Sequence, residues 1–281
     1  MMKVSGFTIV RNGVKLHYPI VESINSILPI CDEFIVNVGD SEDSTLDLIK
    51  SIASPKIKII QTKWDMSQGP TVLSEQTNVA LKHCTGDWAF YLQTDEVIHE
   101  SDLLRLKRCM ERYLHHPEVD ALRFRWLHFY GSHWRYRIDA GWYQKQDRIV
   151  RNNGQVQSYG DAYAFCRRDG KDMTIRNTGC FMYHYGWVFS EEVMARRRLN
   201  QGEIWSDNRD NEKRTGRYEF GDLKRFPVYF GSHPATMKDL TAAHPVSQQD
   251  WQEISRQYWW NPAFWLRLRY KTGRRVKEKM T

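Results

Sequence analysis

Apolar and polar positions follow two rhythms over the first hundred residues. Short apolar runs at Val4 to Val10, Phe34 to Val38, Ile57 to Ile60 and Trp88 to Leu92 have the length and the β-branched or aromatic content of buried strands. Between them the pattern turns helical, through Leu16, Ile20, Ile24, Ile27 and Leu28, then Leu46, Ile49 and Ile52, then Val72, Gln76, Ala80 and Leu81. Turn and capping chemistry separates the segments: Arg11-Asn12-Gly13, Pro19 in a first helical turn, the polar stretch Gly39 to Thr45, a loop with Trp64, Gly69 and Pro70, and Thr85-Gly86-Asp87. Parallel strands need crossovers of this kind, so the alternation predicts an α/β fold with an open, mostly parallel sheet flanked by helices. Ligands of such sheets bind at the carboxyl ends of the strands. Here those ends are Arg11-Asn12, Gly39 to Thr45, Thr62 to Trp64 and Gln93 to Glu96, all polar.

The second half alternates less regularly and reads as an elaboration of the same domain. Ser101 is placed to cap a helix carrying Leu103, Leu106, Met110 and Leu114 on one face. Strands are expected at Asp120 to Phe129, Arg148 to Val150, and Cys180 to Tyr185, the last closing on His184. A Ser190-capped helix with Arg196-Arg197-Arg198 follows, and Asn200 to Lys224 is polar and loop-rich. No internal repeat is visible.

Composition narrows the picture further. At 281 residues, with 41% hydrophobic and 27% charged, the chain has the make-up of a soluble globular protein. Its 11 Trp, 14 Tyr and 12 Phe are a high aromatic content; such residues often line pockets or interfaces, although most are expected to fill the core. From Arg267 to Thr281 seven basic residues face one acid, Glu278, so this tail carries +6 of the net +7. The remainder is nearly neutral, which argues against a general polyanion or nucleic-acid binder. Five scattered cysteines without a C-x-x-C pair suggest reduced thiols. The chain enters a strand almost at once, without a signal-type apolar run, and has no membrane-length apolar stretch. A cytoplasmic location is expected, or a peripheral one at the inner face of a membrane.

The chemistry concentrates at the end of the fourth strand. Carboxylates are rarely buried without a partner, so Asp95 and Glu96 after Trp88 to Leu92 suggest a rim where a ligand or cation compensates them. The competing reading is that they solvate the strand's exit. Walker A, G-x-G-x-x-G, H-E-x-x-H and G-x-S-x-G patterns are absent, which removes several common enzyme classes.

The strand ending in Val10-Arg11-Asn12, the strand running into Ser41-Glu42-Asp43-Ser44-Thr45, and Gly86-Asp87-Trp88 leading to Asp95-Glu96 together resemble family 2 glycosyltransferases of the GT-A fold. The likeness covers roughly residues 4 to 190. Arg148-Ile149-Val150-Arg151-Asn152 and His184-Tyr185-Gly186 are similar to segments of bacterial lipopolysaccharide-type members. The resemblance implies transfer of a sugar from a UDP- or GDP-sugar to a surface glycan or lipid-linked acceptor in cell-envelope biosynthesis, with inversion and with Mn²⁺ or Mg²⁺ on the donor diphosphate. It implies a GT-A-like domain over 1–245, with a donor half of about 1–100 and an acceptor half of about 101–245. An aromatic-basic extension would occupy 246–281.

Carried over residue by residue, Asp95 matches the second acid of the family's D-x-D motif, Gln93 stands in place of the first, and Glu96 matches a frequent following acid. The resemblance therefore makes Asp95, Glu96 and a late histidine, His184, the metal ligands; His99 and His233 are weaker candidates. The usual base-binding Asp aligns with Val38, so Asp40 or Asn37 would substitute. Arg11, Asn12, Asn37, Asp40, Asp43, Gln76, Asn78 and Gln93 are the expected donor-binding residues. Asp161 is the expected general base, although the family's His-Glu pair nearby reads Tyr163-Ala164. Each has a plainer alternative: a helix cap for Asp95, a hydrogen-bonded structural imidazole for His184, a Gly-Asp turn for Asp161, and loop-stabilising bonds for the amides.

Trp126, Trp134, Trp142 and Trp187 could stack on sugar faces or fill the core. The segment Trp259 to Arg269 with the basic tail has the make-up of a membrane-surface anchor or of a packed helix with a solvated tail. Two other functions stay open at this point: a non-catalytic glycan- or membrane-binding relative, and a sugar-phosphate nucleotidyltransferase. The latter would need a Gly-rich basic loop after the first strand, which this chain lacks.

Overall fold

The computed structural model describes residues 1–139, 141–204 and 217–252. The first hundred residues form β1 (Val4–Val10), α1 (Ile20–Ile27), β2 (Glu33–Gly39), α2 (Thr45–Lys50), β3 (Ile57–Thr62), α3 (Thr71–Lys82), β4 (Trp88–Tyr91) and β5 (Glu96–Ile98). Then come α4 (Leu103–Leu114), β6 (Ala121–Tyr130), β7 (Tyr136–Arg137), β8 (Lys145–Arg151), β9 (Val156–Tyr159), β10 (Ala164–Arg167), β11 (Ile175–Trp187), α5 (Glu191–Ile204) and α6 (Lys238–Ala243). One sheet runs in the order β3-β2-β1-β4-β8-β6-β11-β5, with β7 paired to β6 and a separate β9–β10 hairpin. β3, β2, β1 and β4 are parallel neighbours. β8 lies antiparallel between β4 and β6, while β6 and β11 are parallel.

Both faces of the parallel half are covered, which explains its unbroken apolar runs. Trp88, Phe90 and Leu92 point to the side of Ile20, Ile24, Leu106 and Met110. Ala89 and Tyr91 point to the opposite side, with Phe7, Val72, Ala80 and Phe165. The sheet must also curl. Only Leu92 to Asp95 join β4 to β5, and that linker turns on itself through a 2.9 Å bond from the Glu96 N–H to the Gln93 carbonyl. Laid flat, the intervening strands would put β5 roughly 19 Å from β4, beyond the reach of so short a turn. Curling therefore brings the ends of β6 and β11 over the end of β4.

Two local expectations change. α4 begins after a 3-10 turn at Glu100–Asp102, and the cap is His99, whose Nδ1 accepts from the Ser101 N–H at 3.2 Å. Leu16 lies before α1, buried in the turn that leads into it. The five cysteines are free thiols. Among the described residues no helix is long and apolar enough to cross a membrane. The expected extension begins against the domain, since Asp250 is buried and accepts from Arg135 Nε at 2.9 Å. Trp259 to Thr281, and with them the membrane-surface expectation, lie outside the described residues.

Candidate active site

A cleft of about 410 Å³ opens where the carboxyl ends of β1 and β4 meet the ends of β6 and β11. Arg11, Gln93, Asp95, Asp161 and His184, separated by up to 173 positions in the chain, all line it. The structure adds His128, Tyr143, Gly186 and Arg197, and makes Trp142 and Trp187 one wall. Trp126 is core, and Trp134 donates to the His244 carbonyl at 2.7 Å.

Asp95 and His184 face each other at the centre, with Asp95 Oδ2 3.6 Å from His184 Nε2. Burial works against ionising Asp95, but His184 and Arg197 outweigh it and hold the carboxyl below its ordinary value. His184 Nδ1 lies 3.0 Å from His128 Nδ1, and His128 Nε2 lies 2.7 Å from the Tyr143 carbonyl oxygen. Burial, then the neighbouring His184, pushes His128 down to about 3, so its imidazole is neutral near pH 7. A Cβ at Gly186 would sit 2.6 Å from Asp95 Oδ2 and 2.9 Å from His184 Nε2. Glycine thus keeps the space beside these two donors open.

That donor set fits a divalent cation. A carboxylate oxygen and an imidazole nitrogen suit Mn²⁺, and Mg²⁺ is commonly held by one or two carboxylates with substrate phosphates completing the shell. Among the described residues no group of three or more His, Cys, Asp or Glu converges, so donor oxygens would have to supply the rest.

Glu96 requires a correction. Its carboxylate is fully buried and takes two 2.8 Å bonds from Arg148, Nη2 to Oε1 and Nε to Oε2. The Gln93 N–H adds a third at 3.1 Å. With both oxygens occupied, Glu96 is an internal counter-ion of Arg148 and no metal ligand. Arg148 also donates to the Tyr163 carbonyl at 2.9 Å, so the pair braces the strand-four loop against the turn that carries Asp161.

Several expected donor contacts likewise turn inward. Asn37, Thr62 and Gln76 bond one another: Asn37 Nδ2 donates to Gln76 Oε1 at 3.0 Å, and the Thr62 hydroxyl meets both amide oxygens. Asn78 pairs with both backbone groups of Ser158, at 2.9 and 2.8 Å. Asn12, at φ 53°, accepts from the Glu42 N–H, and Asp43 accepts from the Lys15 and Thr45 N–H groups, which locks the β1 and β2 exit loops together. Asp40 accepts from Arg11 Nε at 3.3 Å and from the Trp64 N–H. Asn12, Asn37, Asp40, Asp43, Gln76 and Asn78 do not line the cleft, whereas Arg11 does. His99 and His233 do not line it either. The bonds these amides make are those of the loop-stabilising alternative.

Asp161 is half-buried at the turn between β9 and β10. The turn is strained: Ala162 holds φ 63°, a left-handed conformation that costs an alanine about 1–2 kcal/mol. Gln93 Nε2 reaches the Ala162 carbonyl at 3.4 Å, linking this turn to the Asp95 loop. Arg197 is the buried member of its arginine run. It donates to the carbonyls of Leu16, His17 and Gly186, and stacks between Tyr18 and Phe189. Val193, Met194 and Arg197 share a face of α5, the periodicity that could have singled it out. At the other end of the cleft, Ile9, Trp64, Met66 and Leu73 make an apolar recess.

No curated protein sequence matches the chain. Among solved structures, S. aureus TarS 1-349 is similar at 19% identity over 76% of this chain and 68% of that one, with a TM-score of 0.41. The same TarS fragment in complex with UDP-GlcNAc is similar at 17% identity over 76% and 69%, with a TM-score of 0.44. A mycobacterial protein is similar at 13% identity over 72% and 75%, with a TM-score of 0.40. A family sequence model described as Glycosyl transferase family 2 matches residues 17–187, more than half of the chain. Since that match runs from His17 after β1 to Trp187 where β11 leaves the cleft, it takes in Gln93, Asp95, His128, Asp161 and His184, and the chain belongs to glycosyl transferase family 2 as a glycosyltransferase.

Proposed function

We propose that the cleft binds a nucleotide-diphosphate sugar and transfers its sugar, with inversion, to a hydroxyl of a surface glycan or lipid-linked acceptor. The observation that carries this reading is the Asp95–His184 pair, held open by Gly186 at the end of the central strand. The apolar recess at Ile9, Trp64, Met66 and Leu73 suits a nucleobase, and Arg11 at its edge suits the ribose or a phosphate. The diphosphate then reaches Asp95 and His184, where a bound Mn²⁺ or Mg²⁺ would offset the negative charge that builds on the leaving group. The half-buried Trp142 and Trp187 offer the acceptor sugar an aromatic wall across the cleft.

Asp161 stands in the cleft wall as the general base. It takes the proton of the acceptor hydroxyl as that oxygen attacks the anomeric carbon, and the bond from this carbon to the phosphate oxygen breaks. The electron pair leaves with the nucleoside diphosphate. Attack from the face opposite the leaving group inverts the anomeric centre. Gln93 ties the Asp161 turn to the Asp95 loop, so base and leaving-group site share one frame. In this reading residues 246–281 form an extension whose aromatic-basic part, 259–281, contacts an anionic membrane surface where a lipid-linked acceptor would lie.

Thermal melting with UDP- and GDP-sugars, with and without Mn²⁺, tests the donor reading. One nucleotide should raise the melting temperature more with Mn²⁺ than without; no response to any nucleotide in either condition would sink it. Liposome sedimentation of the full chain and of a chain lacking 259–281 tests the tail, and equal binding would dismiss the surface contact.

A further inference from the structure

We propose that His128 is a positioning residue that holds the His184 ring by its Nδ1, so that His184 Nε2 faces Asp95 and the open space beside it. The inference rests on the reading of Asp95 and His184 as donors to a divalent cation. His128 and His184 are register partners on the parallel strands β6 and β11. Their Nδ1 atoms stand 3.0 Å apart, a contact that needs one proton and has room for only one. Which ring supplies it is decided at the far side of His128. There Nε2 lies 2.7 Å from the Tyr143 carbonyl, which only accepts, so Nε2 carries a hydrogen. A neutral His128 then presents a bare Nδ1. His184 must donate from its own Nδ1, which leaves Nε2 as the nitrogen turned toward the cleft.

That nitrogen is the atom 3.6 Å from Asp95 Oδ2, facing the gap that a Cβ at Gly186 would fill. The reverse arrangement would require a charged His128. This ring is 1% exposed and clamped between Trp142 and Tyr143, whose rings stand at 72° and 79° to it. An unpaired cation there is strongly disfavoured. Turning either imidazole over would put a C–H group where a nitrogen now meets its partner. The chain therefore prepares a metal-ready imidazole through a group that never touches the ion, the usual task of a ligand's hydrogen-bond partner.

Two readouts test this without relying on turnover. In metal-free wild-type protein labelled with ¹⁵N-histidine, the nitrogen shifts of His184 should report a protonated Nδ1. His128→Phe keeps the ring volume but removes the acceptor, so His184 should populate both tautomers, and Mn²⁺ affinity with UDP present should fall about 10–100-fold. His128→Asn places Oδ1 near the position of Nδ1 and should restore most of that loss. Circular dichroism confirms that both variants are folded. A His184 without a proton at Nδ1 in the wild type, or a folded His128→Phe that binds Mn²⁺ as tightly as wild type, would overturn the inference. Wild-type protein that binds no Mn²⁺ even with UDP or GDP would instead remove the cation reading, and the inference with it.

Discussion

Replacing Arg148 by methionine is the sharpest test of how the site is held together. Both members of the Glu96–Arg148 pair are fully buried, with two 2.8 Å bonds between them. Burial opposes the charge on Arg148, and the Glu96 carboxylate overcomes it and holds the guanidinium above its ordinary value. Removing the guanidinium leaves Glu96 with only the Gln93 N–H, and it deprives the Tyr163 carbonyl of its 2.9 Å donor. Loss of one partner from a buried pair costs about 3–5 kcal/mol. At an m-value of about 3 kcal/mol/M, that lowers the urea midpoint by about 1–2 M. Glu96→Gln should cost a similar amount, because it strands the arginine. In Arg148→Met/Glu96→Gln neither charge is left unpaired, so the double variant should cost less than the sum of the singles, with a coupling of about 2–3 kcal/mol. The double variant should also keep its Mn²⁺-dependent response to nucleotide, since no Glu96 oxygen reaches the cleft. Singles within about 1 kcal/mol of wild type, or strictly additive costs, would refute the electrostatic account. Loss of the Mn²⁺ response in a folded double variant would return Glu96 to the metal site.

Three further expectations follow from single side chains. Gly186→Ala should leave the fold intact, because Gly186 does not hold a left-handed backbone, yet its Cβ would press on Asp95 and His184. Mn²⁺ titration should show weakened binding, and an unchanged affinity would remove the open-space argument. Asp161→Asn should lower kcat for transfer by about 10²–10⁴ with nucleotide affinity unchanged; full activity would dismiss Asp161 as the base. At Glu33, burial alone would push the carboxyl up, but Lys58, Ser5 and Thr85 bring it down to about 2 from an ordinary 4.5. The folded state thus binds this proton less readily than the unfolded chain, so Glu33 stabilises fully above about pH 4.5, and the benefit is lost as pH falls toward 2. Denaturation of wild type and Glu33→Gln should therefore show a stability gap that narrows over that interval; a gap independent of pH would contradict the pairing.

What was legible in the sequence follows from how local each signal is. The strands of the parallel half announce themselves because both faces are buried, and Phe7 and Val10 are apolar whichever way they point. The acids at the end of β4 were visible for the same reason: charge adjoining a core strand is rare. Their division of labour was not visible. Asp95 sits in the turn and faces the cleft, while Glu96 opens β5 and meets an arginine 52 residues away. That pairing depends on the curl of the sheet, which no local pattern encodes. Asn37, Gln76 and Asn78 were chemically plausible donor contacts, but an amide serves a ligand or the backbone depending on neighbours from other elements. His128 was missed because a lone histidine within an apolar strand reads as core. Only the β6–β11 register puts it beside His184. The β9–β10 hairpin was read only as a Gly-Asp turn, because strands of four residues, Val156–Tyr159 and Ala164–Arg167, are too short for an alternation to stand out.

The central claim, that Asp95 and His184 hold the cation on which the donor diphosphate rests, meets its most direct test in calorimetric titration of UDP and GDP into wild type and Asp95→Ala, with and without Mn²⁺. Binding of metal and nucleotide must be reciprocal: Mn²⁺ should tighten the nucleotide by the same factor as the nucleotide tightens Mn²⁺. That mutual gain should vanish in Asp95→Ala, with any metal-free nucleotide affinity preserved. Equal nucleotide affinity with and without Mn²⁺ in the wild type, or a gain that survives in Asp95→Ala, would contradict it.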